Sequence, residues 1–331
     1  MPETRPLTII DGKALLSLDV QPPRFVISRL LPAGLHMLAG SPKIGKSWLA
    51  LWICQQVSKG EPVWDFETKR CGALYLSMED TIDRLHFRLS RITEDGSEQS
   101  YFATDAEGLS GALTAQLEQF MKDYPETGLV VIDTFQRIRG SAENASYAND
   151  YEEISKIKAV ADRHRIAILL VHHLRKMPDS DPFNMVSGST GLIGAVDCLY
   201  VLEKDSRTDN KARLHVTGRD IEDMQLMLEF DREKTVWRFV SFLNSTERKE
   251  DALASSLSEF IAGHGEFTGT ATELADALKE YDEIDIAPNI LTRTLKERAE
   301  TLRKHNGLAV AFSRTNSSRT ISLSLVSDGD G

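Results

Sequence analysis

Cysteine is scarce in this chain of 331 residues. Cys54, Cys71 and Cys198 are far apart and form no Cys-x-x-Cys pair, so neither a disulfide framework nor a zinc site is expected, and the three read as buried thiols. Long apolar runs are also missing: none approaches the roughly 20 residues that a membrane-spanning helix needs. Behind residues 1–5 there is no apolar stretch of the kind a secretory signal carries, and the expected location is the cytoplasm. Positive charge is in deficit, with 39 Lys and Arg against 50 Asp and Glu and a net charge of -11. That balance argues against a protein coating nucleic acid over its whole surface and leaves room for a local basic patch. Internal repeats and low-complexity tracts are not seen. What is present is an ordinary globular composition, 41% hydrophobic and 27% charged, over a length that suits one domain of roughly 200–250 residues and a smaller one.

From about residue 25 to 240, short apolar runs alternate with helical spacing, the pattern of an α/β fold with a mostly parallel sheet. The runs are residues 35–39, 73–77, 129–133, 166–172 and 198–202, each apolar throughout, as strands covered on both faces should be. Residues 46–57 and 151–164 have helical spacing. From Lys211 the pattern turns to polar/apolar alternation, at residues 213–217 and 237–240, which predicts antiparallel strands finishing the sheet.

Residues 40–47 read Gly-Ser-Pro-Lys-Ile-Gly-Lys-Ser, a G-x-x-x-x-G-K-S/T phosphate-binding loop. The pattern needs a strand before it and a helix after it, and residues 34–39 and the apolar stretch from Trp48 supply both. Gly40 and Gly45 let the backbone bend, Lys46 can reach the β and γ phosphates of ATP, and Ser47 can ligate Mg²⁺. Helix amides starting at Trp48 can face the phosphates. The nucleotide-binding segment is therefore Gly40, Ser41, Pro42, Lys43, Ile44, Gly45, Lys46, Ser47 and Trp48.

Three further strand ends carry chemistry. The run ending in Asp133 can hold the Mg²⁺ shell; a strand-terminal Asp often only caps a turn, and its pairing with the Lys46 loop gives it weight. The run 72–77 leads into Met78, Glu79 and Asp80, where Glu79 can deprotonate an attacking water and Asp80 suits a helix N-cap. The third ends in His172 and His173. One of these rings can contact a γ-phosphate, although such a pair is more often structural or a metal half-site, and no third ligand stands at metal spacing.

Together these motifs, with Ser187-Gly188-Ser189-Thr190-Gly191, resemble the RecA-like ATPases of the plasmid RepA type, a group that includes hexameric replicative helicases and their prophage relatives. The likeness covers about residues 22–240. It implies a RecA-like α/β core, Glu79 as catalytic base, Asp133 as metal support and His173 as the strand-end sensor, with His172 as its structural partner. It also implies an arginine acting across a subunit interface. Arg219, within residues 216–220, resembles that position, with Arg213 as fallback; the plain alternative for Arg219 is a salt bridge to Asp220 or Glu222. Two channel loops, residues 136–149 and 175–186, would place Arg137, Arg139, Arg175 and Lys176 against single-stranded DNA. Glu143, Asp150, Asp179 and Asp181 nearby fit ordinary solvated loops instead.

Residues 244–251 are polar and charged without apolar periodicity, and are expected to link an ATPase domain, residues 1–243, to a second domain, residues 252–326; residues 327–331 are expected to be disordered. In the second domain residues 252–262, 270–279 and 288–305 read as helices and 308–326 as a hairpin, the layout of a winged helix. Leu291, Leu295, Ala299 and Leu302 share one face of the third helix; Arg293, Lys296, Arg303 and Lys304 share the other. Gly307 can end that helix, and Arg314 and Arg319 flank the hairpin tip. Duplex DNA is one expected partner, whereas Glu297 and Glu300 favour docking to a replication protein. The chain therefore reads as a Mg²⁺-dependent ATPase that forms a ring, a hexamer by resemblance, and moves on DNA as a replicative helicase. The alternatives are a RecA-like ATPase regulating recombination or replication assembly without unwinding, and an ATP-switched initiation or transcription factor.

Overall fold

The computed structural model describes residues 9–18, 24–109, 112–139, 147–175, 179, 181–187, 190–206, 208–243, 245–282, 284, 286–314 and 319–325. Its chain divides into two compact units, Met1–Ser241 and Phe242–Gly331.

In the first unit, α1 (Gly12–Ser17) precedes a small antiparallel pair, β1 (Phe25–Ile27) and β2 (Leu31–Pro32). Then come β3 (Gly34–Gly40), α2 (Lys46–Lys59), β4 (Gly72–Ser77), α3 (Ile82–Ile92), β5 (Ser100–Ala103), α4 (Leu113–Asp123) and β6 (Thr127–Asp133). These are followed by the short α5 (Phe135–Ile138), α6 (Tyr147–His164), β7 (Ala167–His173), α7 (Thr190–Ala195), β8 (Cys198–Glu203), β9 (Lys211–Gly218), β10 (Met224–Asp231) and β11 (Val236–Phe242). Nine strands form one sheet in the order β11-β10-β9-β8-β3-β7-β6-β4-β5. The pairs from β8 through β3, β7, β6 and β4 to β5 are parallel; β9, which holds the alternating residues 213–217, pairs antiparallel with β8 as that pattern predicts, and β10 adds a further antiparallel neighbour.

β3, β4 and β6 are buried along their whole length, which is why they read as unbroken apolar runs. On one face Leu35, Val130 and Ile168 join Leu117, Ile154 and Ile157 of α4 and α6 in a single core. On the other, Leu49 and Ile53 of α2 line a small apolar cavity with Leu38 and Leu169. The parallel strand carboxyl ends, Gly40, Ser77, Asp133 and His173, are consequently brought to one edge of the sheet. Among the described residues no helix is long and apolar enough to cross a membrane.

The second unit holds α8 (Ser245–His264), β12 (Glu266–Gly269), α9 (Ala271–Asp282), α10 (Pro288–Glu297), α11 (Ala299–Asn306), β13 (Leu308–Arg314) and β14 (Arg319–Leu325). The strands form an antiparallel sheet, β12-β14-β13, over a core including Leu257, Ile261, Leu274, Leu278, Leu291 and Leu295. Thr270 and Glu273 cap α9 reciprocally: Thr270 N donates to Glu273 Oε2 at 2.6 Å and Glu273 N to Thr270 Oγ1 at 3.3 Å.

Three expectations for this region change. The residues expected as a linker are helical from Ser245, because Glu247, Arg248, Lys249 and Glu250 are good helix formers that need no apolar stripe. The third helix is two, interrupted at Arg298, whose φ of -106° and ψ of 8° leave helical geometry without any Pro or Gly. β12 adds a strand to the expected hairpin. Gly307 does end α11 in the left-handed region, at φ 61°. The hairpin tip 315–318, the tail 327–331 and the side chains of Lys304 and Arg314 lie outside the described residues.

Candidate nucleotide site

β3 delivers Gly40 to the sheet edge and α2 starts at Lys46, so residues 40–47 form a loop between strand and helix. Both glycines are required by space. A Cβ on Gly40 would stand 2.8 Å from Leu202 O, and one on Gly45 would stand 3.0 Å from the Trp237 indole nitrogen, at a φ of +109° that side chains rarely adopt. Gly45 is the N-cap of α2 and contributes no side-chain cap, leaving the first amides of the helix to face a ligand.

Lys46 is folded back onto the loop. Its Nζ donates to Gly40 O at 2.7 Å and Ser41 O at 3.0 Å, and lies 3.5 Å from His173 Nδ1. Burial lowers its pKa to about 8, against the opposing pull of Asp133 and Glu79. An arriving polyphosphate would replace backbone carbonyls as the partner of this ammonium.

Asp133, at the end of β6, accepts a hydrogen bond from Tyr75 OH at 2.6 Å and one from Ser47, and its burial raises its pKa. Ser47 and Asp133 thus offer one hydroxyl and one carboxylate side by side. Hard oxygen ligands of this kind, completed by phosphate and water, fit Mg²⁺. Among the described residues no group of three or more His, Cys, Asp or Glu could hold an ion by itself.

Glu79 is exposed just beyond β4, and Thr134 Oγ1 donates to its Oε1 at 3.1 Å. Asp80 does not cap α3. The cap is Thr81, which accepts from Arg84 N, while Asp80 is buried and paired with Arg84 and Arg88. Arg88 also lies 5.7 Å over the Trp48 ring, so it ties α3 to the first turn of α2.

The two histidines separate cleanly. His172 is buried, hydrogen-bonded to Ser187 O at 2.7 Å and edge-on to Phe135, with its pKa lowered to about 4 by burial: a neutral, structural ring. His173 is half-buried beside Lys46, and burial followed by that lysine lowers its pKa.

Arg219 stands at the far end of the sheet. Gly218 pairs with Cys198, which pairs with His36 near the start of β3, and Arg219 contacts Gly194 O at 2.9 Å and Asp197 at 3.5 Å. Asp197 is an acidic partner of Arg219 that the sequence did not suggest. Arg213 pairs with Glu203, one residue past the Leu202 that faces Gly40, and so sits at the loop end, held by Asp205. Of the loop cations, Arg137 is exposed on α5, Arg139 lies 5.6 Å over the Phe135 ring and Arg175 pairs with Asp179; Lys176 is outside the described residues.

Tyr75, Thr134, Arg88 and Trp237 are site residues that sequence reasoning missed. Tyr75 sits inside an apolar strand and reads as core. Thr134 alone had a signal, as the residue after a strand-terminal Asp.

The AAA domain family matches residues 4–179. The DNA repair protein RadA of Streptococcus pneumoniae (strain ATCC BAA-255 / R6) is 27% identical over 150 residues, which are 44% of this chain and 31% of that protein. The chain thus spans about a third of the length of that curated relative. Among solved structures, the ATPase domain of G40P aligns over 65% of this chain and 86% of its own, with a TM-score of 0.50 and 14% identity. A DnaB-like replicative helicase, described with its interactions with primase, aligns over 65% of this chain and 58% of its own, with a TM-score of 0.50 and 16% identity. At these identities the structural likeness establishes a shared RecA-like fold.

Proposed function

The chain belongs to the AAA domain family, and on that premise we propose that it is a Mg²⁺-dependent ATPase working as a cytoplasmic ring of six subunits on DNA, as a replicative helicase. The observation that carries the proposal is the meeting of Lys46, Ser47, Asp133, Glu79 and His173 at the carboxyl ends of adjacent strands, beside a helix N-terminus with free amides. ATP phosphates take over Lys46 from the loop carbonyls. Ser47 and Asp133 hold Mg²⁺, which when bound neutralises phosphate charge. Glu79, oriented by Thr134, accepts the proton of the attacking water. His173, neutral and against Lys46, registers whether a γ-phosphate is present. An arginine from a neighbouring subunit completes the charge balance; Arg213, at the loop end of the sheet, is better placed for this than Arg219 at the far end.

The RecA-like likeness supports the DNA motor, and so does the presence of a replicative helicase among the structural neighbours. The second unit, four helices with a three-stranded antiparallel sheet, is proposed as a winged helix contacting duplex DNA or a replication protein. Strand displacement on forked DNA with ATP, run beside Lys46→Ala, tests the motor. Its specific rival is a DNA-stimulated ATPase regulating recombination, favoured by the sequence likeness to a DNA repair protein. Hydrolysis without strand displacement would favour that rival.

A further inference from the structure

Trp237 belongs to the outermost antiparallel strand, and β10, β9 and β8 stand between β11 and β3 in the sheet. Its indole nevertheless reaches the phosphate loop: Nε1 donates to Gly45 O at 3.2 Å. The same carbonyl accepts the opening helical bond of α2, from Leu49 N at 3.1 Å. The ring lies so close that a Cβ on Gly45 would be 3.0, 3.2 and 3.3 Å from Nε1, Cζ2 and Cε2.

The indole is itself held from several sides. Phe230 meets it edge-on at 5.1 Å, Lys204 Nζ lies 5.0 Å over its ring, and Trp64 Nε1 donates to Trp237 O at 2.7 Å. Trp64 in turn packs on Trp52 of α2, ring centroids 5.7 Å apart. Trp237 is 1% exposed, so it presents no face to a ligand and acts only through the loop it touches.

A helix N-terminus is usually fixed by a side chain that occupies one of the free amides. A phosphate-binding helix must keep those amides open. A donor placed on the N-cap carbonyl orients the same peptide without consuming an amide, and an indole, a rigid ring with a single donor and no acceptor, can do nothing else there. We infer that Trp237 is a positioning residue of the nucleotide site, setting the Gly45 peptide through its indole N–H. The inference rests on the nucleotide-binding reading of the loop.

Trp237→Phe keeps an aromatic ring and removes the N–H. The dissociation constant of a fluorescent ATP analogue and the KM for ATP should rise about three- to tenfold, the span of one neutral hydrogen bond, with kcat within about twofold. A role in packing alone predicts a lower Tm with nucleotide affinity unchanged, and that result would overturn the inference. If Trp237→Phe does not melt cooperatively, Trp64→Phe removes the hydrogen bond to the Trp237 carbonyl at a half-buried position. Its analogue affinity should then fall in the same direction, roughly two- to fivefold, and an unchanged affinity overturns the inference. Wild-type protein that binds the analogue no better than Lys46→Ala overturns the nucleotide reading itself and this inference with it. Wild-type binding that Trp237→Phe leaves intact overturns only the inference.

Discussion

Thr134 Oγ1 donates to Glu79 Oε1 at 3.1 Å, joining the residue after β6 to the turn after β4. Both turns are fixed by the sheet beneath them, since Ser77 pairs with Asp133 and Met78 N donates to Asp133 O at 2.7 Å. Glu79 is therefore aimed by parallel strand register and by one hydroxyl. Glu79→Gln should bind nucleotide as wild type does and lose turnover by about a hundredfold or more, because an amide cannot take a proton from water. Thr134→Val should lower kcat by about two- to tenfold at nearly constant KM, reflecting one lost hydrogen bond in aim alone. Steady-state hydrolysis and analogue binding measured on both variants check this; turnover in Glu79→Gln within about threefold of wild type would remove Glu79 from the base role.

The Lys46 ammonium gives a pH prediction. Its pKa is lowered to about 8 by burial, and phosphates brought beside it would favour the charged form and raise it. Binding then takes up a proton above pH 8, so affinity must fall as pH rises through that value. The dissociation constant for ATP should be about tenfold weaker at pH 9 than at pH 7, following one proton per unit. A flat titration across that range would show that Lys46 is already charged when free, or that it does not meet the phosphates.

The ease of reading this site in the sequence followed burial. Strands covered on both faces leave unbroken apolar runs, and their ends carry Gly40, Glu79, Asp133 and His173 in plain order. β5 escaped notice because it is an edge strand of four residues, each only half-buried, and it lacks the Val and Ile of a central strand. α3 buries a single residue, Leu85, so its stripe is thin. The interruption at Arg298 has no Pro or Gly to announce it. Hardest of all is Trp237 against Gly45: 192 positions separate them, and no local pattern registers a contact made by the folding of an entire sheet.

An arginine acting across an interface should reveal itself in mixed rings. Glu79→Gln and Arg213→Ala subunits should each be nearly inactive alone, yet a mixture should regain partial hydrolysis because some interfaces pair an intact glutamate with an intact arginine. Arg219→Ala, made at the far end of the sheet where the arginine is paired with Asp197, should change hydrolysis by less than about threefold, within what loss of a surface ion pair produces. Recovery with Arg219→Ala rather than Arg213→Ala would reverse the assignment. Absence of recovery with either, despite verified subunit exchange, would count against an arginine in trans.

The second unit offers a prediction that separates its two proposed partners. Arg293, Lys296, Arg303 and Arg319 are exposed, whereas Arg298 is buried at the interruption between α10 and α11 and is not available to a phosphate. Lys296 lies 5.4 Å over the Phe312 ring of β13, which places one cation against the hairpin. If these cations meet duplex DNA, the contacts are mainly to phosphates, and affinity should fall steeply with salt while varying little with sequence. The double change Arg293→Ala and Lys296→Ala in the full chain should then weaken binding to every duplex alike and make the salt slope shallower by roughly one to two units. Because both positions are exposed and the core rests on Leu291 and Leu295, Tm should move by no more than a few degrees. Docking to a protein predicts the opposite pattern, with duplex affinity and its salt slope unchanged by the double substitution. Anisotropy of a labelled duplex at two salt concentrations, for wild type and the double variant, decides between them: equal slopes would rule out DNA contact through α10.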